Sequence, residues 1–206
     1  MRTRPTVYSR PVPHYASLAT PLALLVGLAG MVTFAGVKPA TSGMSCFGKA
    51  VTISGTSGSD HIDATDGDDV IFAGGGNDDV QGREGSDRVC GGGGNDELHG
   101  GDGRKDWLKG SGGDDFLDGR RGVDRDVMVG GGGQDEIVGG NILRGGRGKD
   151  YLEVVVYAGD PRRDTVTGGP DDDRLRGDGG GDRLKGGSGT DNCSGAGPGG
   201  TVLGCE

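Results

Sequence analysis

The sequence predicts an all-β fold, a right-handed parallel β-roll (β-solenoid) built from nonapeptide repeats, with disulfide-linked end caps. The first observation is a run of five aspartates spaced nine residues apart: Asp60, Asp69, Asp78, Asp87 and Asp96. A glycine stands two residues before each aspartate, and Ile, Val or Leu stands two residues after it. The composition agrees, because 49 of 206 residues are glycine and only 4% are aromatic, too few for an ordinary globular core.

The first 42 residues predict a secretory signal peptide. Three arginines precede an apolar run at about residues 18–37, and no acidic residue occurs before Asp60. A membrane anchor is the competing interpretation, because the apolar run approaches the length that spans a bilayer. Pro21 and several glycines interrupt that run and favour the signal peptide. Cleavage after Ala35, Ala40 or Ser42 stays open, and the predicted location is secreted, extracellular.

Residues 43–54 are predicted to form an N-terminal cap strand, since Lys49–Ile53 alternate as strand residues do. The β-roll repeats follow at residues 55–153. Beyond Asp96 the period continues with insertions and one truncated turn at residues 139–144. In the longest copy either Asp124 or Asp126 could fill the aspartate position.

An irregular insertion is predicted at residues 154–163, where a β-prone run is followed by a charged loop. Degenerate repeats resume at residues 164–194, with weaker copies around Asp164 and Asp173. Residues 195–206 are predicted to form a C-terminal cap, because a bare solenoid end exposes the core and an unpaired edge. The sequence leaves open whether the insertion divides the repeats into two stacks.

The four cysteines predict two disulfides, because the count is even and the chain carries an export signal. Three connectivities are possible. We favour Cys46–Cys90 and Cys193–Cys205, because each bond ties one end of the chain to the nearest repeats. A zinc site is the competing interpretation, but no C-x-x-C pair or nearby histidine supports it.

The repeat length predicts closely stacked carboxylates. Two nine-residue units, each a six-residue turn and a three-residue strand, complete one turn of a flattened coil with two parallel sheets. Asp60 would then lie over Asp78, about 4.8 Å away. Ionised neighbours at that distance repel by roughly 3 kcal/mol at an effective dielectric of 20, whereas a hard cation between them reverses the sign. Calcium fits best, because it accepts six to eight oxygens, including turn carbonyls, in flexible geometry.

We therefore predict several calcium ions as the cofactor and a chain that folds when it binds them. The predicted metal ligands are Asp60, Asp69, Asp78, Asp87, Asp96, Asp106, Asp115, Asp135, Asp150, Asp182 and Asp191. Without residues 1–42 the chain holds 31 acidic and 18 basic residues. This balance argues against nucleic acid or an anionic membrane as a partner.

These residues resemble the hemolysin-type calcium-binding repeats of the RTX family over about residues 55–194. Gly74–Asp78 and Gly91–Asp96 come close to the G-G-x-G-x-D consensus. The resemblance implies a parallel β-roll with calcium between turns, held by the aspartates and turn carbonyls. The segments around Cys46, Cys90 and Cys205 resemble small secreted actinobacterial calcium-binding repeat proteins. An N-terminal export signal and the lack of an effector domain differ from RTX toxins and proteases, so those activities are not implied.

The search for catalytic residues is negative, and we predict that the protein is not an enzyme. His14 lies in the predicted signal, His61 and His99 fall at outward strand positions, and neither H-E-x-x-H nor G-x-S-x-G occurs. The predicted function is a structural or binding role. A calcium-dependent surface adhesin or envelope-associated protein is the alternative, and an accessory module of an exported enzyme is a further one. A cell-surface component would then be the partner.

Some outward strand positions carry apolar residues instead of polar ones. They are Val70, Phe72, Trp107, Phe116, Val127 and Val129. Such residues either form an apolar patch on the surface or pack beneath irregular loops, and the sequence does not distinguish the two arrangements.

Overall fold

The computed structural model describes residues 6–9, 43–119, 125–155 and 162–206, with side chains from residue 43 onward. Its strands in chain order are β1 (Thr6–Ser9), β2 (Ser45–Cys46), β3 (Lys49–Ala50), β4 (Ile53–Ser54), β5 (Asp60–Asp63), β6 (Val70–Gly75), β7 (Asp79–Gln81), β8 (Arg88–Gly93), β9 (Glu97–His99), β10 (Trp107–Gly112), β11 (Phe116–Gly119), β12 (Val127–Gly132), β13 (Glu136–Gly139), β14 (Ile142–Arg147), β15 (Tyr151–Glu153), β16 (Thr165–Pro170), β17 (Arg174–Arg176), β18 (Arg183–Ser188), β19 (Asn192–Ser194) and β20 (Thr201–Leu203).

Successive repeats alternate between two nine-stranded sheets. Sheet one has the order β1-β5-β7-β9-β11-β13-β15-β17-β19, and sheet two runs from β4 through the even-numbered strands to β20. Apart from β1, every neighbouring pair within these two sheets is parallel, as a solenoid of two strands per turn requires. The predicted all-β parallel β-roll is confirmed.

From β4 to β18, each strand contributes one large apolar side chain to the core. Ile62 pairs with Val80 and Val80 with Leu98 in sheet one, while Val89 of sheet two stands between Ile71 and Leu108. The nine-residue period produces this register, because every second repeat falls in the same sheet. The core residues are fully buried, because the x-U-x strand turns its central side chain inward and its flanking side chains outward.

The irregular segment at residues 154–163 does not divide the solenoid. Parallel pairing runs from β13 through β15 to β17 in sheet one and from β14 through β16 to β18 in sheet two. Val154 is buried and Val155 is 39% exposed, and neither lies in a strand. The repeats on both sides of the insertion therefore form one stack.

The N-terminal segment is more elaborate than one cap strand. Antiparallel strands β2 and β3 form a hairpin, and β4 then begins sheet two. The predicted Cys46–Cys90 disulfide is confirmed, with a Cα–Cα distance of 5.9 Å, and it fixes the hairpin to sheet two. Val70 and Phe72 pack against this buried cluster. Part of the outward apolar set is therefore covered by the hairpin.

The predicted signal peptide falls mostly on residues 1–5 and 10–42, which lie outside the described residues, so it stays a prediction. Strand β1 lies within it and pairs antiparallel with β5. At the other end, the predicted Cys193–Cys205 disulfide is confirmed and joins β19 to the residues just after β20. None of the described residues form a helix with the length and apolarity needed to cross a membrane.

Candidate metal centre

From β5 to β19, each strand begins at or directly follows a buried polar residue at the end of its turn. We call the set before sheet one column one; it contains Asp60, Asp78, Asp96, Asp115, Asp135, Asp150, Asp173 and Asp191. The set before sheet two is column two; it contains Asp69, Asp87, Asp106, Asp126, Asn141, Asp164 and Asp182. All eleven predicted ligands belong to these columns, at most 7% exposed.

A chain of hydrogen bonds connects the members of each column. The backbone N–H of Asp60 donates to Oδ1 of Asp78 at 2.8 Å, and the N–H of Asp78 donates to Oδ1 of Asp96 at 3.0 Å. The same contact repeats to the end of column one at Asp173 and Asp191. Column two repeats it as far as Asp106 and Asp126. One carboxylate oxygen of each turn is thus held by the preceding turn.

The second carboxylate oxygen has no such contact in most column aspartates. Exceptions include Oδ2 of Asp60, Asp69 and Asp182, which accept hydrogen bonds from Thr56, Thr65 and Asp178. Among the described residues, no hydrogen-bond donor reaches the buried Oδ2 of Asp78, Asp87, Asp96, Asp106, Asp115, Asp135, Asp150, Asp173 and Asp191. An acceptor buried without a donor carries the full desolvation penalty. Carboxylate oxygens that recur at one strand spacing can together serve as ligands of a hard cation, and this arrangement suits calcium.

The electrostatics of the columns are unfavourable when no cation is present. Burial raises the pKa of Asp87 to about 8, and neighbouring carboxylates also raise it. The hydrogen bond from the Asp69 backbone lowers the pKa but does not offset the effect of burial. Burial likewise raises the pKa of Asp78 and Asp115 to about 7. Near neutral pH such groups are stabilised either by protons or by a counter-cation.

The glycine at the start of a turn makes room for the carboxylate. A Cβ built on Gly130 would overlap Oδ2 of Asp135, and the same holds for Gly110 and Asp115. At the next position, Gly131 has φ 133°, in a region that favours glycine, and a Cβ there would overlap the Ser111 carbonyl of the turn below. The repeat glycines therefore keep the turns closely stacked and leave the Oδ2 oxygens clear.

A second ladder of side chains runs along the exposed edge of column one. The backbone N–H of Asn95 donates to Oδ1 of Asn77 at 2.9 Å, and that of Asp114 donates to Oδ1 of Asn95 at 3.0 Å. Gln134 and Asp114 continue the series. These residues precede the column aspartates and are exposed, so they stabilise the turns without lying among the buried oxygens.

The structure adds three aspartates to the predicted set. Asp126 fills the position that was open between Asp124 and Asp126, and it accepts the Asp106 backbone hydrogen bond at 2.8 Å. Asp173 accepts the equivalent bond from Asp150, and Asp164 donates its backbone N–H to Asp182. The sequence pattern that points to these three residues is an aspartate two residues before an apolar core residue. Insertions and a missing turn glycine make this pattern hard to recognise in these copies.

Column two also holds a three-carboxylate cluster near its C-terminal end. Asp164, Asp178 and Asp182 each place a carboxylate oxygen within 4.8 Å of the others. The backbone N–H of Asp178 donates to Oδ2 of Asp182 at 3.1 Å, which brings its side chain to the column. Asp178 occupies the second turn position, where the repeat pattern has glycine. This cluster is richer in acidic oxygens than the regular turns.

Comparison with protein families agrees with this geometry. The family model described as RTX calcium-binding nonapeptide repeat (4 copies) matches residues 54–89, 73–104, 91–125, 101–137, 124–152 and 158–193. No curated protein and no solved structure matches the chain. The matched segments contain all members of both columns, including those beyond the insertion.

Proposed function

Because the chain belongs to the RTX calcium-binding nonapeptide repeat family, we propose that it is a secreted calcium-binding β-roll protein. It folds on binding several calcium ions between its stacked G-G-x-G-x-D turns. Its role is structural or binding and not catalytic. Calcium binding itself follows from the repeats and from their stacked, buried aspartates.

The observation that carries this proposal is the row of buried Oδ2 oxygens without donors. Neighbouring turns place these oxygens in two straight columns, and nothing in the described residues neutralises the regular turns. Bound calcium supplies positive charge and accepts oxygen ligands from successive turns. The aspartates hold it and the turn glycines keep the approach open, so ion binding and stacking of the turns are one event.

Folding on calcium follows from the small size of the core. Each strand buries about one aliphatic side chain, which contributes roughly 1.5–3 kcal/mol. Ordering each residue of backbone costs roughly 1–2 kcal/mol, and glycine is at the high end. The buried, uncompensated carboxylates add to that cost. Binding free energy of the ions is therefore available as folding free energy.

Two disulfides support an oxidising, extracytoplasmic location. Proteins with these repeats are commonly extracellular, and the basic and apolar order of residues 1–42 supports export. The histidines support a non-catalytic role. His61 contacts Asp79, and His99 contacts Glu97, all on the outer face of sheet one.

A calcium titration of the full chain tests the proposal. We expect a mostly disordered far-ultraviolet circular dichroism spectrum in chelator and a cooperative gain of β-structure as calcium is added. Calorimetry should report several ions per chain, and magnesium at the same concentration should give little change because it demands tighter octahedral geometry. A β-rich spectrum in chelator that calcium does not alter would contradict the proposal.

A pair of aspartate variants tests the site itself. Asp78→Asn keeps the shape of a buried column residue and removes one negative oxygen, whereas Asp66→Asn makes the same change at an exposed turn position. We expect Asp78→Asn to raise the calcium midpoint severalfold and to lower the number of ions bound. Asp66→Asn should leave both values unchanged. Equal effects of the two substitutions would exclude column one as the binding site.

A further inference from the structure

The outer faces of the two sheets differ in charge. The nine strands of sheet two contain no acidic residue, whereas the strands of sheet one contain Asp63, Asp79, Glu97, Asp118, Glu136 and Glu153 at flanking positions. The outer face of sheet two instead carries cations among apolar and threonine side chains. In a chain with a formal net charge of −9, a face free of acids is unexpected.

The cations of this face form a straight row. Lys109 of β10 is followed by Val129, Arg144, Thr167 and Lys185 at the same register position of successive parallel strands. A cation therefore recurs at every second strand. Because neighbouring strands lie about 4.8 Å apart, the cations repeat at about 10 Å along the solenoid axis.

These cations are available for a ligand. Lys109, Arg144 and Lys185 are exposed, as is Arg183 in the adjoining row. None of the four makes an ion pair within the described ranges 43–119, 125–155 and 162–206. On sheet one, by contrast, carboxylates are paired within the face: Asp63 with Arg83 at 2.9 Å and Glu153 with Arg176 at 2.9 Å.

An aromatic ring lies at one end of the row. Trp107 precedes Lys109 by two residues on the same face, and its ring lies 4.2 Å from the Arg88 guanidinium and 4.7 Å from the Lys105 ammonium. Val127 and Ile142 follow Trp107 at the same register position of the next two strands. The surface thus combines a flat, partly apolar strip with a parallel line of spaced cations.

We propose that the outer face of sheet two is a docking surface for a linear anionic polysaccharide with one acidic group per disaccharide. The spacing of Lys109, Arg144 and Lys185 corresponds to about the length of a disaccharide unit, so one chain laid along the solenoid axis presents an acidic group to each cation. The apolar strip and the threonines contact the sugar rings between the acidic groups. The binding needs no base, nucleophile or metal on this face.

Calcium loading makes this docking electrostatically possible, and this step rests on the proposed function. Residues 43–206 carry 31 acidic and 18 basic residues, and 14 of the acids are buried column aspartates. When calcium neutralises those 14, 17 acidic residues face 18 basic ones. The general repulsion of a polyanion then disappears, and the local row of cations determines the interaction.

Hyaluronan oligosaccharides of defined length provide the probe, since they carry one carboxylate per disaccharide. Trp107 is the only tryptophan of the chain and lies on the face, so its fluorescence reports binding directly. We expect a saturable fluorescence change when the calcium-loaded full chain is titrated, and weaker binding as salt is added. Neutral dextran should give no change.

A matched pair of triple variants locates the surface. Lys109→Gln, Arg144→Gln and Lys185→Gln together remove the row, whereas Lys149→Gln, Arg174→Gln and Arg176→Gln remove the same charge from sheet one and its turns. We expect about tenfold weaker binding for the first variant, from the usual size of exposed charge pairs, and less than a twofold change for the second. Equal losses in both variants would overturn the proposal.

Other outcomes also decide the matter. Binding to inorganic polyphosphate or phosphatidylglycerol vesicles without binding to hyaluronan would overturn the choice of partner. Calcium-dependent self-association in sedimentation experiments, abolished by the Lys109, Arg144 and Lys185 triple variant, would show that a second copy of this chain is the occupant, and this would also overturn the choice of partner.

Circular dichroism on the same samples separates the docking proposal from the proposed function. A chain that folds with calcium and does not bind hyaluronan overturns only the docking surface, and a chain without a calcium response overturns the proposed function.

Discussion

The side-chain nitrogen Nδ2 of Asn141 donates a hydrogen bond to Oδ1 of Asp164 at 2.6 Å. Asn141 holds the position in column two where the other described members are aspartates, and it follows a turn shortened to Gly139 and Gly140. The short turn offers few carbonyls to a cation. At this position the amide of Asn141 donates to the Asp164 carboxylate, whereas calcium is proposed to stabilise the column carboxylates elsewhere.

Asn141→Asp is predicted to hinder folding without adding an ion. The substitution replaces the amide donor with a second carboxylate against Asp164, and the truncated turn cannot complete a site. We expect a higher calcium midpoint and a loss of about 1–3 kcal/mol in free energy of unfolding, with unchanged stoichiometry by calorimetry. Asn95→Asp is the control, because Asn95 is exposed and its Oδ1 already accepts a hydrogen bond. An extra bound ion in Asn141→Asp would contradict this explanation.

Gly130→Ala is predicted to lower the number of calcium ions that the chain binds. The added Cβ would occupy the space of Asp135 Oδ2 and displace that ligand. Gly132→Ala lies in the same turn, where a Cβ meets nothing within 4 Å and φ is not in the positive range. We expect fewer ions bound by Gly130→Ala and wild-type stoichiometry for Gly132→Ala, both measured by calorimetry. Indistinguishable binding by the two variants would argue against the role of the first turn glycine.

Low pH is predicted to stabilise the calcium-free fold in part, because protons neutralise the buried column aspartates as calcium does. The folded metal-free chain has raised pKa values, about 8 for Asp87 and about 7 for Asp78, whereas an unfolded aspartate titrates near 3.9. The folded state therefore binds more protons, so its stability is greatest below about pH 4 and falls as pH rises toward 6–8. In calcium-free buffer we expect β-structure by circular dichroism to decrease from pH 4 to pH 8. Equal signals across that range would disprove it.

Leu117→Ala is predicted to destabilise the calcium-loaded roll by about 2–5 kcal/mol. Leu117 is fully buried and stacks between Leu98 and Ile137, and truncation leaves a cavity between stacked turns. Val155→Ala serves as the control at a 39% exposed site, with an expected change within about 0.5 kcal/mol. Denaturant unfolding in saturating calcium measures both. A loss below about 1 kcal/mol for Leu117→Ala would show that the stacked core residues contribute little to stability beyond the bound ions.

The regular repeats were predictable because each one encodes its own geometry. In Gly74–Asp78 the glycines permit the turn, the aspartate comes at its end, and Val80 follows at the inward strand position. The pattern therefore predicted the strands, the core stacks and most members of both columns. The irregular copies were less predictable, since an insertion moves the aspartate without changing the local chemistry. The strands that follow these positions identified Asn141 and decided between Asp124 and Asp126 in favour of Asp126.

The sequence by itself determined the parallel β-roll and the aspartates of the regular turns, because these depend on spacing within one or two repeats. For the disulfides it left three connectivities open, and the structure selects Cys46–Cys90 and Cys193–Cys205. The tertiary structure decided which residues of distant turns share a row. It joined the repeats on both sides of residues 154–163 into one stack, placed Asn141 in column two, and aligned Lys109, Arg144 and Lys185 despite their unequal separation in the chain. The physical reason is that hydrogen-bonded register, and not residue count, sets neighbours across parallel strands.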